Sequence, residues 1–449
     1  TLGESGDTVT LGSGASQSGF GRTGTVNWQT GSIKTSTFTA VNGEGYFVNT
    51  TGGAVTVNLP AGSAGDIVAF KDYAGTWDTN SVIVTPNGSD KVNGTASNAN
   101  LTTEAQSVTL IFVDSTKGWL DIHDSQSNVI GAQYVAATGG NTVITDGNFK
   151  THVFTGPGTF CVSSAGNPGG STKVDYVVIA GGGSGGVNCA GGGGGAGGFR
   201  LSNCVGSIPA PTMSPLVKSC GGITVSVTGY PITVGGGGAG RPNSAGNEGI
   251  KGSDSVFSTI TSTGGGKGSG TSSGNGGSGG SGGGGAHSSG CGASGNTPSV
   301  SPPQGNDGGD ATPSSVGGDD CGGGGGGAGA AADGSSNPQG GIGSFVADSF
   351  FGPTAPSYGE AGPVSNTRYF AGGGGGGARG GPTPAGSTDG GIGGGGNGAR
   401  GPSGSGGPES SGTANTGGGG GGAVGPGGGY TPSGGGGSGI VMIRYKFQN

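Results

Sequence analysis

Short stretches with apolar residues at every second position dominate the first 170 residues of the chain. Such alternation predicts β-strands that bury one face of a sheet. Glycine, proline and asparagine turn signals separate the stretches, and none shows the sustained period of an amphipathic helix. The pattern therefore predicts an all-β N-terminal part. Its densest set of candidate strands lies at residues 46–49, 55–59, 67–71, 82–85, 108–113 and 119–122.

Two further stretches are apolar almost throughout, at residues 174–180 and 440–447. They stand on either side of a region in which glycine dominates. A strand that is apolar at nearly every position is typically buried on both faces of its sheet. We expect these two strands to pair with each other and to close the glycine-rich region, which argues against a flexible linker.

Within that region, runs of four to six glycines end in a single alanine. Spacings of 42 to 50 residues separate these alanines, and such a period is typical of repeat architectures. The alanines are Ala196, Ala239, Ala286, Ala328, Ala378 and Ala423.

A glycine run has no side chain to bury, so only its backbone can hold it in place. The left-handed polyproline II helix is open to glycine at low strain and leaves every N–H and C=O group free. Side by side, such helices can pair those groups with their neighbours, because no Cβ keeps the backbones apart. The runs therefore predict a rigid bundle of polyglycine II helices.

Composition narrows the class of protein. Of 449 residues, 123 are glycine and 23 are proline, without the strict three-residue period of collagen. Only 9% are charged and the net charge is −7, which disfavours nucleic acid as a partner. No stretch is long and apolar enough to predict a membrane span or a signal segment. The chain begins at Thr1, which leaves both a processed protein and an excerpt of a longer one open.

The candidate strands between Tyr46 and Trp119 carry a recognisable order of motifs, including Val55-Thr56-Val57-Asn58-Leu59-Pro60-Ala61-Gly62 and Val108-Thr109-Leu110-Ile111-Phe112-Val113-Asp114. This order resembles a module of bacteriophage tail fibres, over about residues 1–130. The resemblance implies a homotrimeric β collar. It also implies other fibre or tail proteins as partners at the N-terminus.

A second resemblance covers about residues 150–449. The motif Phe154-Thr155-Gly156-Pro157-Gly158-Thr159-Phe160, the strand at 174–180, the run at 191–200 and the ending at 437–445 are similar to the glycine-rich domain of phage tail-fibre proteins. This domain resembles the tip adhesin of some T-even-like phages. The resemblance implies a sandwich of polyglycine II helices whose intervening loops bind a receptor on the host cell.

The expected fold is therefore mainly β, with short-strand modules of the trimeric fibre type before a polyglycine II bundle and essentially no α-helix. We expect a thin β stem at 1–45, a β collar and trimerisation module at 46–130 and a β connector at 131–172. The glycine-rich domain occupies 173–449, closed by strands 174–180 and 440–447.

Aromatic residues concentrate in the loop at 333–371, in a region otherwise poor in them. Rigid scaffolds carry binding sites on their loops, and aromatic and arginine side chains dominate contact hot spots. The alternative is that these aromatics form a small loop core or pack against a sister subunit. The candidate receptor contacts are Phe345, Phe350, Phe351, Tyr358, Arg368, Tyr369, Phe370 and Tyr430.

Six cysteines lie in or beside the glycine region, without a C-x-x-C pair that would favour zinc. Sequence alone allows 15 disulfide connectivities. We prefer the nearest-neighbour pairs Cys204–Cys220, Cys291–Cys321 and Cys161–Cys189, and free buried thiols are the alternative.

Catalysis has little support, because His123, His152 and His287 lack a recognisable triad setting. We expect no enzymatic activity, no cofactor and no metal. The leading hypothesis is an extracellular, virion-borne adhesin of a phage tail fibre that attaches to a host cell-surface protein or polysaccharide. A structural extracellular filament or sheath protein, an ice-binding protein and a depolymerase are the alternatives, in that order.

Overall fold

A computed structural model gives the fold of the chain, which divides into two compact units, Thr1–Ile130 and Gly131–Asn449. We describe each unit by itself. The structure describes residues 26–125, 132–168, 170–206, 208–209, 212–218, 221–244, 246–312, 320–333, 338–379, 388–401, 409–425 and 431–448.

The described residues of unit 1 form nine short strands in two sheets. The five-stranded sheet has the order β1-β3-β5-β8-β9 and the four-stranded sheet the order β2-β4-β6-β7. The alternating stretch Thr8-Val9-Thr10-Leu11 also predicts a short strand, but it lies outside the described residues. The strands are β1 (Asn27–Trp28), β2 (Phe38–Thr39), β3 (Glu44–Val48), β4 (Val55–Asn58), β5 (Ile67–Asp72), β6 (Val82–Thr85), β7 (Ala99–Leu101), β8 (Ser107–Asp114) and β9 (Gly118–Ser125).

The chain of unit 1 alternates between the two sheets from β1 to β6. Consecutive strands of one sheet therefore pair in parallel: β1 with β3 and β3 with β5 in one sheet, and β2 with β4 and β4 with β6 in the other. β7, β8 and β9 then add in antiparallel fashion. Phe70, Val84 and Trp119 from the strands, and Trp77 from the connection between β5 and β6, are part of the buried core of this unit. This winding resembles the turns of a coil, and alternation alone did not predict it.

The described residues of unit 2 form the remaining strands and two short 3₁₀ helices. They are β10 (Val135–Thr138), β11 (Thr142–Asp146), β12 (Phe149–Phe154), β13 (Gly158–Ala165), β14 (Lys173–Ile179), β15 (Phe199–Ser202), β16 (Val217–Lys218), β17 (Ile223–Thr224), β18 (Gly229–Thr233), β19 (Ser255–Phe257), β20 (Ile260–Ser262), β21 (Asp320–Cys321), β22 (Ser344–Ala347), η1 (Asp348–Phe350), η2 (Gly352–Ser357), β23 (Glu360–Ala361), β24 (Thr367–Phe370), β25 (Ala378–Arg379) and β26 (Ile440–Lys446).

Three layers form the β part of unit 2. The central sheet has the order β11-β12-β26-β14-β15-β16, and β17 also pairs with β14. The outer sheet, β10-β13-β18-β19-β20, packs on one face through residues such as Phe160 and Phe257. Residues 344–370, which we call the covering segment, pack on the other face through residues such as Phe350 and Phe351.

The two most apolar strands are neighbours at the centre of this arrangement. β14 and β26 pair in antiparallel fashion, with Tyr176 opposite Ile443. Tyr176 and Ile443 face the outer sheet, whereas Val177 and Met442 face the covering segment. Because both faces are buried, both strands are apolar at nearly every position.

One charged pair interrupts these strands, Asp175 opposite Arg444. Both are buried, and burial raises the pKa of Asp175 and lowers the pKa of Arg444. The carboxylate accepts hydrogen bonds from the backbone N–H groups of Cys204 and Val205, at 2.7 Å each. Arg444 donates to the carbonyl of Val205 at 2.9 Å. Buried charges need hydrogen-bond partners, and backbone groups of Cys204 and Val205 supply them here. The pair therefore holds the turn after β15 in place.

The glycine runs form extended helices whose backbone hydrogen bonds repeat every three residues. In the helix at 191–198, Gly191, Gly194 and Gly197 donate to the helix at 417–423. Gly192, Gly195 and Gly198 donate to residues 263–269, and the remaining N–H groups donate to residues 323–326. Three donor directions at a three-residue period are the pattern of polyglycine II.

The carbonyls of the helix at 191–198 accept from three further helices, at 181–187, 281–286 and 371–377. This helix therefore has six neighbours. The neighbours also bond to one another in the order 181–187, 263–269, 281–286, 322–328, 371–377 and 417–423, and 417–423 bonds back to 181–187. The inner part of the bundle is thus a closed hexagon around residues 191–198.

The helices alternate in direction. Helix 181–187 follows β14 and runs away from the sheets, and 191–198 returns antiparallel to it. We call the end of the bundle at the sheets proximal and the opposite end distal. The region at 264–285 contributes three crossings, 263–269, 276–280 and 281–286.

The regular spacing of the alanines does not mark a repeating unit. Ala196 and Ala328 end helices that run towards the sheets and pack in the proximal core. Ala286 and Ala423 end helices that run in the other direction. The spacing reflects similar helix and loop lengths, so the predicted repeat architecture is wrong in this respect.

The structure contains neither the Cys161–Cys189 nor the Cys291–Cys321 disulfide. Cys161, Cys189 and Cys291 are free thiols. Cys161 lies on β13 of the outer sheet, whereas Cys189 lies in a distal turn, so the bundle separates the two. The third preferred pair includes Cys220, which lies outside the described residues.

Candidate functional site

The distal face of the bundle is made of short turns that connect helices running in opposite directions. Described turns lie at 188–190, 241–244, 271–275 and 287–289. Residues that flank other connections reach the same end, among them Thr312, Arg379, Gly401 and Gly425. Each turn begins where a helix ends and a larger residue follows, at Asn188, Arg241, Thr271 and His287.

Backbone contacts hold these turns together. His287 N–H donates to the carbonyl of Ala190 at 3.0 Å, and Ser273 N–H donates to the carbonyl of His287 at 3.0 Å. The side-chain amide of Asn188 donates to the carbonyl of Gly270 at 2.8 Å. The distal turns therefore form one connected surface rather than independent loops.

Polar side chains on this surface are exposed, including those of Asn243, Ser244, Thr271 and Ser272. Hydroxyl and amide groups both donate and accept hydrogen bonds, so the surface can bind a polar partner such as a sugar or a protein backbone.

His287 contacts two neighbouring distal turns, at 188–190 and 271–275. Its Nε2 lies 3.2 Å from Ser272 Oγ and its Nδ1 lies 2.6 Å from Ser288 Oγ. Burial lowers the pKa of His287, Asp320 partly offsets this and Arg379 adds to it. Asp320 and Arg379 themselves form an ion pair at 3.6 Å.

The turn after His287 has an unusual backbone. Ser288 and Ser289 have φ of +75° and +120°, a region that residues with side chains rarely adopt. Such strain persists only where the surroundings impose it, and it is common at functional sites. Neither serine was singled out by the sequence, because φ follows from the fold around the turn.

The aromatic candidates lie at the opposite, proximal end. Phe350, Phe351 and Phe370 are at most 1% exposed and pack against the central sheet. Tyr369 is also buried, and Phe345 lies half-buried beside it, with 5.2 Å between the ring centres. This placement favours the loop-core alternative for the buried rings.

The other two candidates of this segment are half-buried. Tyr358 stacks on Phe351 with 5.4 Å between ring centres. Arg368 pairs with Asp348 at 3.2 Å. Receptor contact by Phe345, Tyr358 and Arg368 stays a prediction, and Tyr430 lies outside the described residues.

Among the described residues, no group of three or more histidine, cysteine, aspartate or glutamate side chains is placed to hold a metal ion. The described part of the chain also has no helix that is long and apolar enough to cross a membrane.

Comparisons with known families agree with the two-part division of the chain. Residues 155–446 match the family described as a glycine-rich domain. Residues 5–122 match the N-terminal domain described as bacteriophage T4 gp9/10-like. A search of individual curated proteins finds no match. The chain therefore belongs to the glycine-rich domain family, and the two matches together support a bacteriophage tail-fibre protein with a glycine-rich region.

Proposed function

We propose that the chain is the receptor-binding adhesin of a phage tail fibre and that the distal face of the glycine bundle contacts a molecule on the host cell surface. One observation carries this proposal. Unit 2 begins with β10, and the last crossing of the bundle leads back into the sheets through β26, so the sheets cover the proximal end. The distal face is the opposite end of the bundle, where polar turns are exposed.

The scaffold supports the same proposal. Many weak hydrogen bonds give useful affinity only when their groups are held in place before binding. The hydrogen-bonded hexagon fixes the helix ends, and the helix ends fix the turns. The partner would be an outer-membrane protein or a polysaccharide, and several copies of the fibre would multiply a weak contact. Such a function needs no enzymatic step, in keeping with a structural component of the virion.

Unit 1 supports the proposal of a homotrimeric collar that joins other virion proteins. On the face of its five-stranded sheet away from the core, Ile111 is only partly buried, beside the small buried cluster of Val26, Ile67 and Ala69. Ile122 on β9 is 45% exposed. Apolar side chains that stay exposed are a feature of subunit contacts. Sedimentation of the full chain tests the trimer, and a monomer at all concentrations would contradict it.

Binding of the labelled full chain to cells of candidate hosts tests the adhesin proposal. Ser244→Lys with Ser272→Lys places two bulky charges on the distal face, where both serines are exposed. We expect this variant to lower cell binding about tenfold or more, which corresponds to about 1.4 kcal/mol or more.

The matched control is Ser349→Lys with Ser357→Lys, which adds the same charge to exposed positions of the covering segment. We expect this control to bind like the unmodified chain. Loss of binding in the control alone would place the receptor contact at the proximal end. No binding by the folded chain to any host that the phage infects would refute the adhesin function itself.

A further inference from the structure

The outer helices of the bundle have neighbours on one side only. In the central helix at 191–198, each N–H group donates to a carbonyl of a neighbouring helix, at distances such as 2.8 Å from Gly194 to Gly420. At the rim, no further helix among the described residues supplies those carbonyls. Unpaired backbone groups in a row make a template for another chain, as at the edge of a β-sheet.

On one side of the rim, side-chain oxygens stand in for the missing carbonyls. Gly292 N–H donates to Asp310 Oδ1 at 2.8 Å, and Gly295 N–H donates to Asp307 Oδ1 at 2.8 Å. The two acceptors are three residues apart on the neighbouring helix at 304–311, and the two donors are three residues apart on 290–296. This spacing is the three-residue period of the bundle.

The same helix has a third such bond. Cys291 N–H donates to Asn275 Oδ1 at 2.9 Å. Asn275 precedes the helix at 276–280, which lies beside 290–296. Side chains from both neighbouring segments therefore hold N–H groups on the outer side of 290–296.

The other side of the rim uses the same device with different residues. Gly390 N–H donates to Asn397 Oδ1 at 2.8 Å, and Asn397 N–H donates to Ser410 Oγ at 2.7 Å. Gly435 N–H donates to Ser411 Oγ at 3.1 Å. Hydrogen bonds from backbone N–H groups to side-chain oxygens thus occur on both sides of the rim. They are a general feature of the rim and are not confined to one turn.

We propose that the rim around the helix at 290–296 is a latent self-association surface, and that Asp307 and Asp310 keep it closed. The partner that fits is the rim of a second copy of this chain. A glycine helix of that copy would continue the existing lattice, because the inner contacts already join such helices through the same backbone groups. The carboxylates occupy the positions that its carbonyls would take.

Sedimentation velocity of the full chain over a range of concentrations tests this proposal. Asp307→Ala with Asp310→Ala frees the N–H groups of Gly292 and Gly295 and leaves the glycine helices intact. We expect its weight-average mass to rise towards twice that of the unmodified chain as the concentration increases. The unmodified chain should show no such rise beyond its own oligomeric state.

Two control variants distinguish association through freed N–H groups from association through loss of negative charge. Asp333→Ala with Asp389→Ala removes the same charge from exposed positions of the bundle, so it reports the effect of lower repulsion alone. Asp307→Asn with Asp310→Asn removes the charges but keeps an oxygen that accepts the same hydrogen bonds. Both controls should sediment like the unmodified chain.

Circular dichroism and thermal melting establish that each variant is folded before its mass is interpreted. A folded alanine variant that keeps the mass of the unmodified chain would overturn the proposal. Equal association of the asparagine variant, or of the Asp333 and Asp389 control, would also overturn it, because charge loss would then suffice. The outcome does not depend on the receptor.

Discussion

At the scale of single residues, the bundle leaves no room for a side chain at its inner glycines. A Cβ built on Gly193 would lie 2.2 Å from the carbonyl oxygen of Gly374, and one on Gly194 would lie 2.0 Å from that of Gly183. The obstacles are backbone atoms of neighbouring helices, which cannot rotate away as a side chain can. Glycine is therefore required by close approach of backbones, not by an unusual φ.

Gly193→Ala tests this requirement. We expect the substitution to lower the free energy of unfolding of unit 2 by about 1–3 kcal/mol or more, the usual cost of overpacking a rigid interior. Chemical denaturation measures the difference from the unmodified chain.

The matched control is Gly236→Ala, since a Cβ at Gly236 has no atom within 4 Å and the position is exposed. We expect this change to be neutral, or stabilising by about 0.4–1 kcal/mol through the unfolded state. Equal destabilisation by both substitutions would show that the lattice spacing does not exclude the methyl group.

At the scale of elements, the covering segment is part of the core rather than a free loop. Its rings close the face of the central sheet that the outer sheet leaves open. Thr151 on β12 donates a hydrogen bond to the carbonyl of Phe350 at 2.8 Å, which ties the segment to the sheet. An aromatic cluster in a long loop has the same sequence pattern whether it binds a partner or fills a core.

Phe351→Ala distinguishes these roles. The ring is fully buried, so we expect its removal to lower the free energy of unfolding by about 3–5 kcal/mol. Phe345→Ala removes a ring that is only half-buried and should cost clearly less. Denaturation curves of both variants measure the difference. A Phe351→Ala variant of unchanged stability that fails to bind cells would instead favour a receptor-contact role.

At the scale of the whole unit, the bundle is ordered from its centre outwards. Every N–H group from Gly191 to Gly198 donates to a neighbouring helix, and the residues are buried. The helix at 235–240 is an outer one, and Gly236, Ala239 and Gly240 are exposed. Stability should therefore decrease from the hexagon to the rim.

Hydrogen exchange followed by mass spectrometry measures this gradient. We expect peptides that cover 191–198 to exchange only when the whole unit unfolds, because their N–H groups are paired on all sides. Peptides that cover 235–240 should exchange much faster. Uniform exchange across both segments would mean that the bundle opens as one unit, or that its centre is no more stable than its rim.

Much of the fold can be predicted from the sequence, because the positions of strands depend on local patterns of apolar and polar residues. Alternation placed β3, β4, β5, β6, β8 and β9 of unit 1 to within two or three residues, since one-sided burial repeats every second residue. It missed the short strand β7 and the parallel winding, because pairing partners are not local. For the candidate site, the sequence indicated loops carried by a rigid scaffold. It favoured the aromatic loop at 333–371 over the polar distal turns, because aromatic side chains are common in contact hot spots.

The sequence by itself determined that the glycine runs form a rigid backbone-paired bundle and that two apolar strands border it. The physical reason is local: a run without side chains has one low-strain extended helix, and strands buried on both faces must be apolar. Only the tertiary structure decided which loops reach the distal end and which cover the sheet. That depends on the direction of every crossing, and direction is set by which helices exchange hydrogen bonds across the whole bundle.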